Sequence, residues 1–274
     1  MKRVLLKSSI PFLSLLTLLS CGMPKVPPAP SALHGQAQEL KQIHKVLLLG
    51  PTFQKLDIPE EAWQLDAIKA WQQDIARLWP AVVLPGPEWD GAVKDALSKN
   101  GADKISKFDT ATGQPNPEYE KLLNAAYAEA AKALGVQAIL RTDFVPVAVQ
   151  VDKKTNLAMW DGAMESAVKV TGARMIRGGR IKVRGELPAV SLFVQLVNMQ
   201  GNVLYESRAG YSLIAKVKAG FFHKKTEQPD YQEVFDEGKM SGMGERSNPD
   251  KRKFCIALGL GPLRKAMAAG GHNQ

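Results

Sequence analysis

The spacing of apolar residues changes along this chain, and the change limits the folds that it can adopt. Before residue 138, short apolar runs alternate with segments in which apolar residues recur every three or four positions, as in amphipathic helices. After residue 138, apolar and polar residues alternate, as in strands with one buried face. This order predicts an α/β (α+β mixed sheet) fold that starts with parallel strands and continues with antiparallel hairpins.

The first half is predicted to hold two strands and three helices. The apolar run 45–50 ends at Gly50 and Pro51, which is typical of a strand buried on both faces. Asp57 and Glu60 form a capping-box pattern before the first helix. The remaining predicted elements are a helical stripe of Ile68, Trp71, Ile75 and Leu78, a strand at 81–85, a helix opened by Pro87, and a helix capped by Asn116 and closed by Gly135.

The second half is predicted to hold two hairpins and a closing helix. Residues 138–151 and 157–170 would pair around a turn at 153–156, and residues 190–196 would pair with 203–213 around a turn at 200–202. A helix near 251–268 follows an irregular tail and would be interrupted around Gly259, Gly261 and Pro262. We therefore expect about six strands, with helices packed mainly on one face.

The amino terminus has the order of an export signal. Residues 1–7 carry three cations and residues 10–19 form an apolar run that is too short for a permanent membrane span. The residues Leu18, Leu19, Ser20 and Cys21, followed by Gly22, resemble the lipobox of bacterial lipoproteins. That resemblance implies cleavage before Cys21, acyl chains on Cys21 and, through Gly22, retention at the outer membrane facing the periplasm. The alternative is an ordinary secretory signal in which Cys21 is incidental.

These features predict four regions along the chain. Residues 1–20 would be the signal, and residues 21–44 the lipidated cysteine and its tether, of which the proline-rich stretch 23–31 is a spacer and 33–44 its end or a short helical lead-in. Residues 45–220 would form the periplasmic domain. Residues 221–274 would be a tail packed on the same domain.

Three segments of the body resemble a known group of envelope lipoproteins. They are VLLLGP at 46–51, GVQAIL at 135–140 and VSLFVQLVNMQGNVLYES at 190–207. Behind a lipidated cysteine, they look like the periplasmic domain shared by the curli-secretion lipoprotein CsgG and the peptidoglycan-synthase activator LpoB. The resemblance implies an interaction module and not an enzyme. A secretion-channel subunit is the alternative, although no spare pair of long alternating strands remains for a membrane barrel.

No catalytic residue, metal site or cofactor is predicted. The four histidines, His34, His44, His223 and His272, are scattered, and the glycine pairs 178–179 and 259–261 lack the setting of a phosphate loop. Residues 210–214 only approach the nucleophile elbow of hydrolases, and Ser166 and Lys169 would point to opposite faces of a strand. Cys255 is expected to be buried without a disulfide partner. A periplasmic hydrolase therefore remains only a lesser alternative.

A basic loop is the most informative polar feature. Residues 174–184 contain no acid, and arginine side chains pair well with phosphate or carboxylate groups. The loop could contact lipid headgroups or an acidic partner protein, or it could simply be solvated. The exported location argues against nucleic acid. The predicted contact residues are Arg174, Arg177, Arg180, Lys182 and Arg184.

Together these observations predict a lipid-anchored accessory protein of the cell envelope. The membrane would be bound through the lipid, and a protein or a cell-wall component would be bound through the domain as a scaffold, binding or assembly module. The mature chain, without the three cations of the signal, carries an excess of about six positive charges, which fits an anionic surface.

Overall fold

The computed structural model describes residues 25–108, 116–169, 183–219, 224–226, 230–235 and 247–268. These residues form a mixed α/β fold, so the predicted fold class is confirmed. The helices are α1 (Ala37–Lys41), α2 (Ala62–Leu78), α3 (Pro87–Lys99), α4 (Pro117–Ala133), α5 (Tyr231–Phe235) and α6 (Asn248–Ala268). The strands are β1 (Ser31–Leu33), β2 (Val46–Thr52), β3 (Val82–Val83), β4 (Ala138–Gln150), β5 (Leu157–Trp160), β6 (Ala163–Ser166), β7 (Val168–Lys169), β8 (Glu186–Asn198), β9 (Val203–Leu213), β10 (Val217–Ala219) and β11 (Lys224–Thr226).

Six strands form the main sheet in the order β1-β9-β8-β4-β2-β3. β2 runs parallel to both β3 and β4, as the alternation of strands and helices in the first half predicted. The pairs β4–β8, β8–β9 and β9–β1 are antiparallel. The predicted hairpin of β8 and β9 is therefore confirmed.

The other predicted hairpin is wrong in its pairing. Residues 138–150 pair along their whole length with 186–198, and not with 157–170. The segment 157–166 folds back on itself as the short β5–β6 hairpin, and a single bridge joins Val151 to Ala158. Both candidate partners of β4 alternate apolar and polar residues, but 190–196 is richer in large β-branched and aliphatic side chains that can be buried beside β4.

The larger core lies between one face of the sheet and four of the described helices. Phe144 of β4 and Leu192 of β8 point to this face and are fully buried. α2 covers the face near β2 with Trp71, α6 covers it near β9 with Ile256, and α1 and α5 add smaller contacts. The helices thus lie mainly on one face, as predicted.

Within the described residues, helices and strands cover the second face at its two ends. α3 and α4 pack over the parallel end, around Leu47, Trp89 and Ala131. The β5–β6 hairpin packs over the opposite end, where Trp160 meets Leu187. These two groups of elements leave two separate smaller cores on this face.

Residues 27–33 close the free edge of β9. β1 pairs with residues 205–207, and the carbonyl of Pro30 accepts a hydrogen bond from the amide of Arg208 at 2.9 Å. The carbonyl of Pro27 accepts one from the amide of Gly162 at 2.8 Å. An open strand edge is a template for association with other chains, so this docking protects the sheet. The predicted spacer therefore lies against the domain from Pro27 onward.

α6 is continuous through Gly259 and Pro262, so its predicted interruption is wrong. Pro262 has no amide to donate to the carbonyl four residues earlier. In the same turn, the hydroxyls of Tyr205 and Ser207 donate to the carbonyl of Gly259 at 2.6 and 2.7 Å. The sheet thus supplies polar contacts where proline weakens the helix, and these contacts are invisible in the local sequence.

The predicted caps have different outcomes. The side chain of Asn116 accepts a hydrogen bond from the amide of Glu118 at 3.0 Å, which confirms the cap of α4. The Asp57–Glu60 capping box is wrong, because Asp57 ends a short 3-10 helix and α2 begins only at Ala62.

Candidate binding cleft

A cleft of 470 Å³ opens between α3 and α4 on the second face of the sheet. Trp89 and Val93 of α3 face Tyr119 and Tyr127 of α4 across it, and the chain after α3 forms one end. The lining residues are Trp89, Asp90, Val93, Lys94, Leu97, Ser98, Ala102, Ile105, Lys107, Tyr119 and Tyr127.

The apolar stripes of both helices are wider than their contact with the sheet. Trp89 and Ala96 of α3 are buried, whereas Val93 and Leu97, at helical spacing from them, are only half-buried. Tyr127 of α4 is likewise half-buried. The surplus apolar surface of each helix turns toward the other helix, and this surface forms the walls of the cleft.

The cleft combines aromatic faces with a neutral phenol. The rings of Trp89 and Tyr127 lie 5.7 Å apart at an angle of 34°. Burial raises the pKa of Tyr127, Tyr119 raises that pKa further, and Arg141 opposes both effects. The Tyr127 hydroxyl therefore stays protonated at neutral pH and can donate a hydrogen bond to a ligand.

A second cleft of 380 Å³ lies on the other side of Trp89. Its walls include Val83, Leu84 and Leu134, and Leu84 is 39% exposed. Lys45 lines it and donates a hydrogen bond to the carbonyl of Leu134 at 2.7 Å. Because Trp89 lines both clefts, α3 carries apolar contact surface on either side. Concave apolar surfaces with a few polar groups are where proteins usually bind ligands and partners.

The structure places the sequence-predicted site residues away from this cleft or outside the described chain. Cys21, Arg174, Arg177, Arg180 and Lys182 lie outside the described residues. Arg184 is described and exposed, just before β8. The cleft is at the other end of β8 and β4, so Arg184 is not part of it.

Ser166 and Lys169 are not brought together as a catalytic pair. The Ser166 hydroxyl donates to the carbonyl of Val168 at 3.0 Å, and Lys169 forms an ion pair with Glu233 at 2.9 Å. Each side chain therefore has a local structural contact.

A different serine and lysine do meet, although no sequence pattern indicated them. Lys251 of α6 lies 3.3 Å from the Ser212 hydroxyl and 2.9 Å from a carboxylate oxygen of Glu165. Lys216 lies 3.5 Å from the other oxygen of Glu165. Because Ser212 is 3% exposed, this cluster is best read as a structural contact of α6 with the sheet.

Two further buried carboxylates are paired with arginines. Asp74 of α2 accepts from Arg252 of α6 at 2.7 Å. Asp161 accepts from Ser191 and from Arg208, each at 2.7 Å. The partners are far apart in sequence, so spacing rules could not have found them.

Other expected features can be checked within the described segments. Cys255 is fully buried, and burial raises the pKa of its thiol, as expected for a small apolar core residue. In those segments no group of histidine, cysteine and acidic side chains could hold a metal ion. No helix there is long and apolar enough to cross a membrane.

Comparisons with known proteins give a structural likeness but no match to a family or a curated protein. Among solved structures, the PelC dodecamer from Paraburkholderia phytofirmans is similar over 86% of this chain and 95% of that one, at 10% identity and a TM-score of 0.35. A likeness at that TM-score carries no argument about this chain.

Proposed function

We propose that this chain is a lipoprotein of the bacterial cell envelope that binds a partner without catalysing a reaction. Acyl chains on Cys21 hold it at the outer membrane, and its domain faces the periplasm. The anchor is supported by the export signal and by the residues around Cys21. Two or three acyl chains make such an anchor stable, since each buried methylene contributes about 0.8 kcal/mol.

The binding role is carried by the cleft between α3 and α4. Trp89, Tyr119 and Tyr127 present three aromatic rings at its surface, and Lys94 and Asp90 add charges of both signs at its rim. Aromatic side chains with apolar neighbours are typical of the centres of interfaces. The occupant is a protein or a cell-wall component.

The non-catalytic role is supported by the state of the buried charges. Asp74, Asp161 and Glu165 each lie in an ion pair that joins two elements of the fold. A general base or nucleophile needs a group that is free to exchange a proton with a bound substrate. These carboxylates are instead held in ion pairs between elements of the fold.

In-cell photocrosslinking tests the binding role. A photoreactive amino acid at Lys94, on the cleft rim, should form a discrete adduct, whereas the same residue at Lys69, exposed on α2 and across the sheet from the cleft, should not. Tyr119→Ala removes one wall of the cleft and should lower the Lys94 adduct at least about tenfold. Circular dichroism confirms that this variant is folded. Equal adducts at both positions, or an adduct that persists in the variant, would contradict the assignment.

A further inference from the structure

We propose that the outward side of α6 rests on the anionic headgroups of the membrane that holds the anchor. This side is called the outer face of α6, and it consists of Lys253, Phe254, Ala257, Leu258, Arg264 and Lys265. The inference rests on the proposed lipid anchor and adds an orientation of the domain to it.

The first argument is the charge of the helix. Residues 251–268 contain five cations and no acid. Two of the cations, Lys251 and Arg252, are buried and paired with Glu165 and Asp74. Lys253, Arg264 and Lys265 are exposed, and none has an ion pair within the described segments. With Lys251 and Arg252 paired inside, Lys253, Arg264 and Lys265 dominate the exposed charge of α6, whose single acid, Asp250, lies in its first turn.

The second argument is that apolar side chains accompany these cations. Residues four and seven apart share one side of a helix, which places Phe254, Ala257 and Leu258 among the cations of the outer face. Phe254 is 36% exposed and Leu258 is half-buried. A face with apolar side chains and lysine or arginine around them matches a helix lying at a membrane surface, where the long cationic side chains reach the headgroups.

The third argument is the position of the anchored segment. A Cβ placed on Gly162 would lie within 3.3 Å of both Leu258 of α6 and Ala29. The segment that contains Ala29 therefore meets the domain next to α6. The hydrogen bond between Pro27 and Gly162 fixes the entry point. Cys21 lies six positions before Pro27, which spans at most about 20 Å when fully extended. Acyl chains on Cys21 would therefore keep α6 close to the lipid surface.

The charge and the position select a lipid surface over an acidic protein. Negative phospholipid surfaces attract nearby lysine and arginine side chains within about one Debye length of the membrane. The cleft lies on the opposite face of the sheet from α6 and would consequently open toward the periplasm. An acidic protein on the outer face remains a distinguishable outcome of the experiment below.

The test uses the mature lipoprotein, reconstituted in phosphatidylcholine vesicles with or without phosphatidylglycerol. A fluorophore is attached at Ala257→Cys on the outer face or, as the control, at Ala125→Cys, an exposed alanine of α4 on the other side of the sheet. Cys255 is buried and Cys21 would be blocked by lipid, so each variant takes one label. Brominated lipid chains should quench the label at 257 much more than the label at 125, and only when phosphatidylglycerol is present.

The second part of the experiment neutralises the cations of the outer face one at a time. In the 257-labelled protein, each of Lys253→Gln, Arg264→Gln and Lys265→Gln should lower the equilibrium for membrane contact about fivefold. Lys121→Gln on α4 is the charge-matched control and should have no effect. Equal quenching at 257 and 125, or quenching that is independent of phosphatidylglycerol, would overturn the proposal.

Palmitate incorporation, which reports the lipid anchor, is measured on the same preparations. Lipidated protein with no contact at residue 257 would refute the orientation and leave the anchor intact. Absence of palmitate incorporation would refute both the orientation and the anchor. If label 257 is shielded only after an acidic protein is added, the outer face binds protein and the lipid assignment is wrong.

Discussion

At the scale of single residues, buried charges of the described segments join separate elements of the fold. Arg252 and Lys251 are adjacent on α6, and they pair with α2 and with the β5–β6 hairpin respectively. Removing one member of such a pair leaves a buried charge without compensation, which is costly in proteins. These contacts fix α6 to its neighbouring elements, although the sequence shows only three basic residues in a row.

Gly210 is required by close packing. A Cβ at this position would lie 2.5 Å from the Cβ of Ala163 and 2.8 Å from the Trp160 carbonyl oxygen. Gly210→Ala should therefore lower the free energy of unfolding by about 2 kcal/mol or more. Gly91→Ala is the matched control, because this glycine lies inside α3 with open space beside it, and alanine there should raise stability by about 1 kcal/mol. Urea denaturation measures both, and equal effects of the two substitutions would contradict the packing argument.

At the scale of elements, the docking of α6 depends on two hydroxyls that share one carbonyl. Tyr205→Phe or Ser207→Ala alone should cost about 1 kcal/mol, because the remaining hydroxyl still donates to Gly259. The double substitution leaves this buried carbonyl without either donor, so its cost should exceed the sum of the single costs. A double-mutant cycle from denaturation curves provides the measurement. Strict additivity would show that the two hydroxyls act independently.

Elements could be predicted where the local residue pattern determines their structure. They could not be predicted where pairing between distant segments determines it. The stripe around Trp71 gave α2, and Asn116 with Pro117 gave the start of α4. The partner of β4 could not be predicted, because alternation of apolar and polar residues identifies a strand but not the strand that pairs with it. The hydroxyls of β9 that contact the Gly259 carbonyl of α6 likewise lie more than fifty positions away in sequence.

At the scale of the whole molecule, the sheet separates two surfaces with different properties. α6 presents a basic outer face on one side, and the aromatic cleft opens on the other. The sequence predicted both α3 and α4 as helices. It could not show the cleft, because the angle and distance between two helices follow from their packing on the sheet. The predicted basic loop lies outside the described residues except for Arg184, and its role stays a prediction.

The most direct test of the account is the intact mass of the mature protein extracted from membranes, combined with a count of its thiols. We predict a chain that begins at Cys21, carries a diacylglyceryl group with or without a further acyl chain, and shows no reactive thiol when native and one, Cys255, when unfolded. A mature chain that begins elsewhere, or that begins at Cys21 without lipid and shows two thiols when unfolded, would contradict the account.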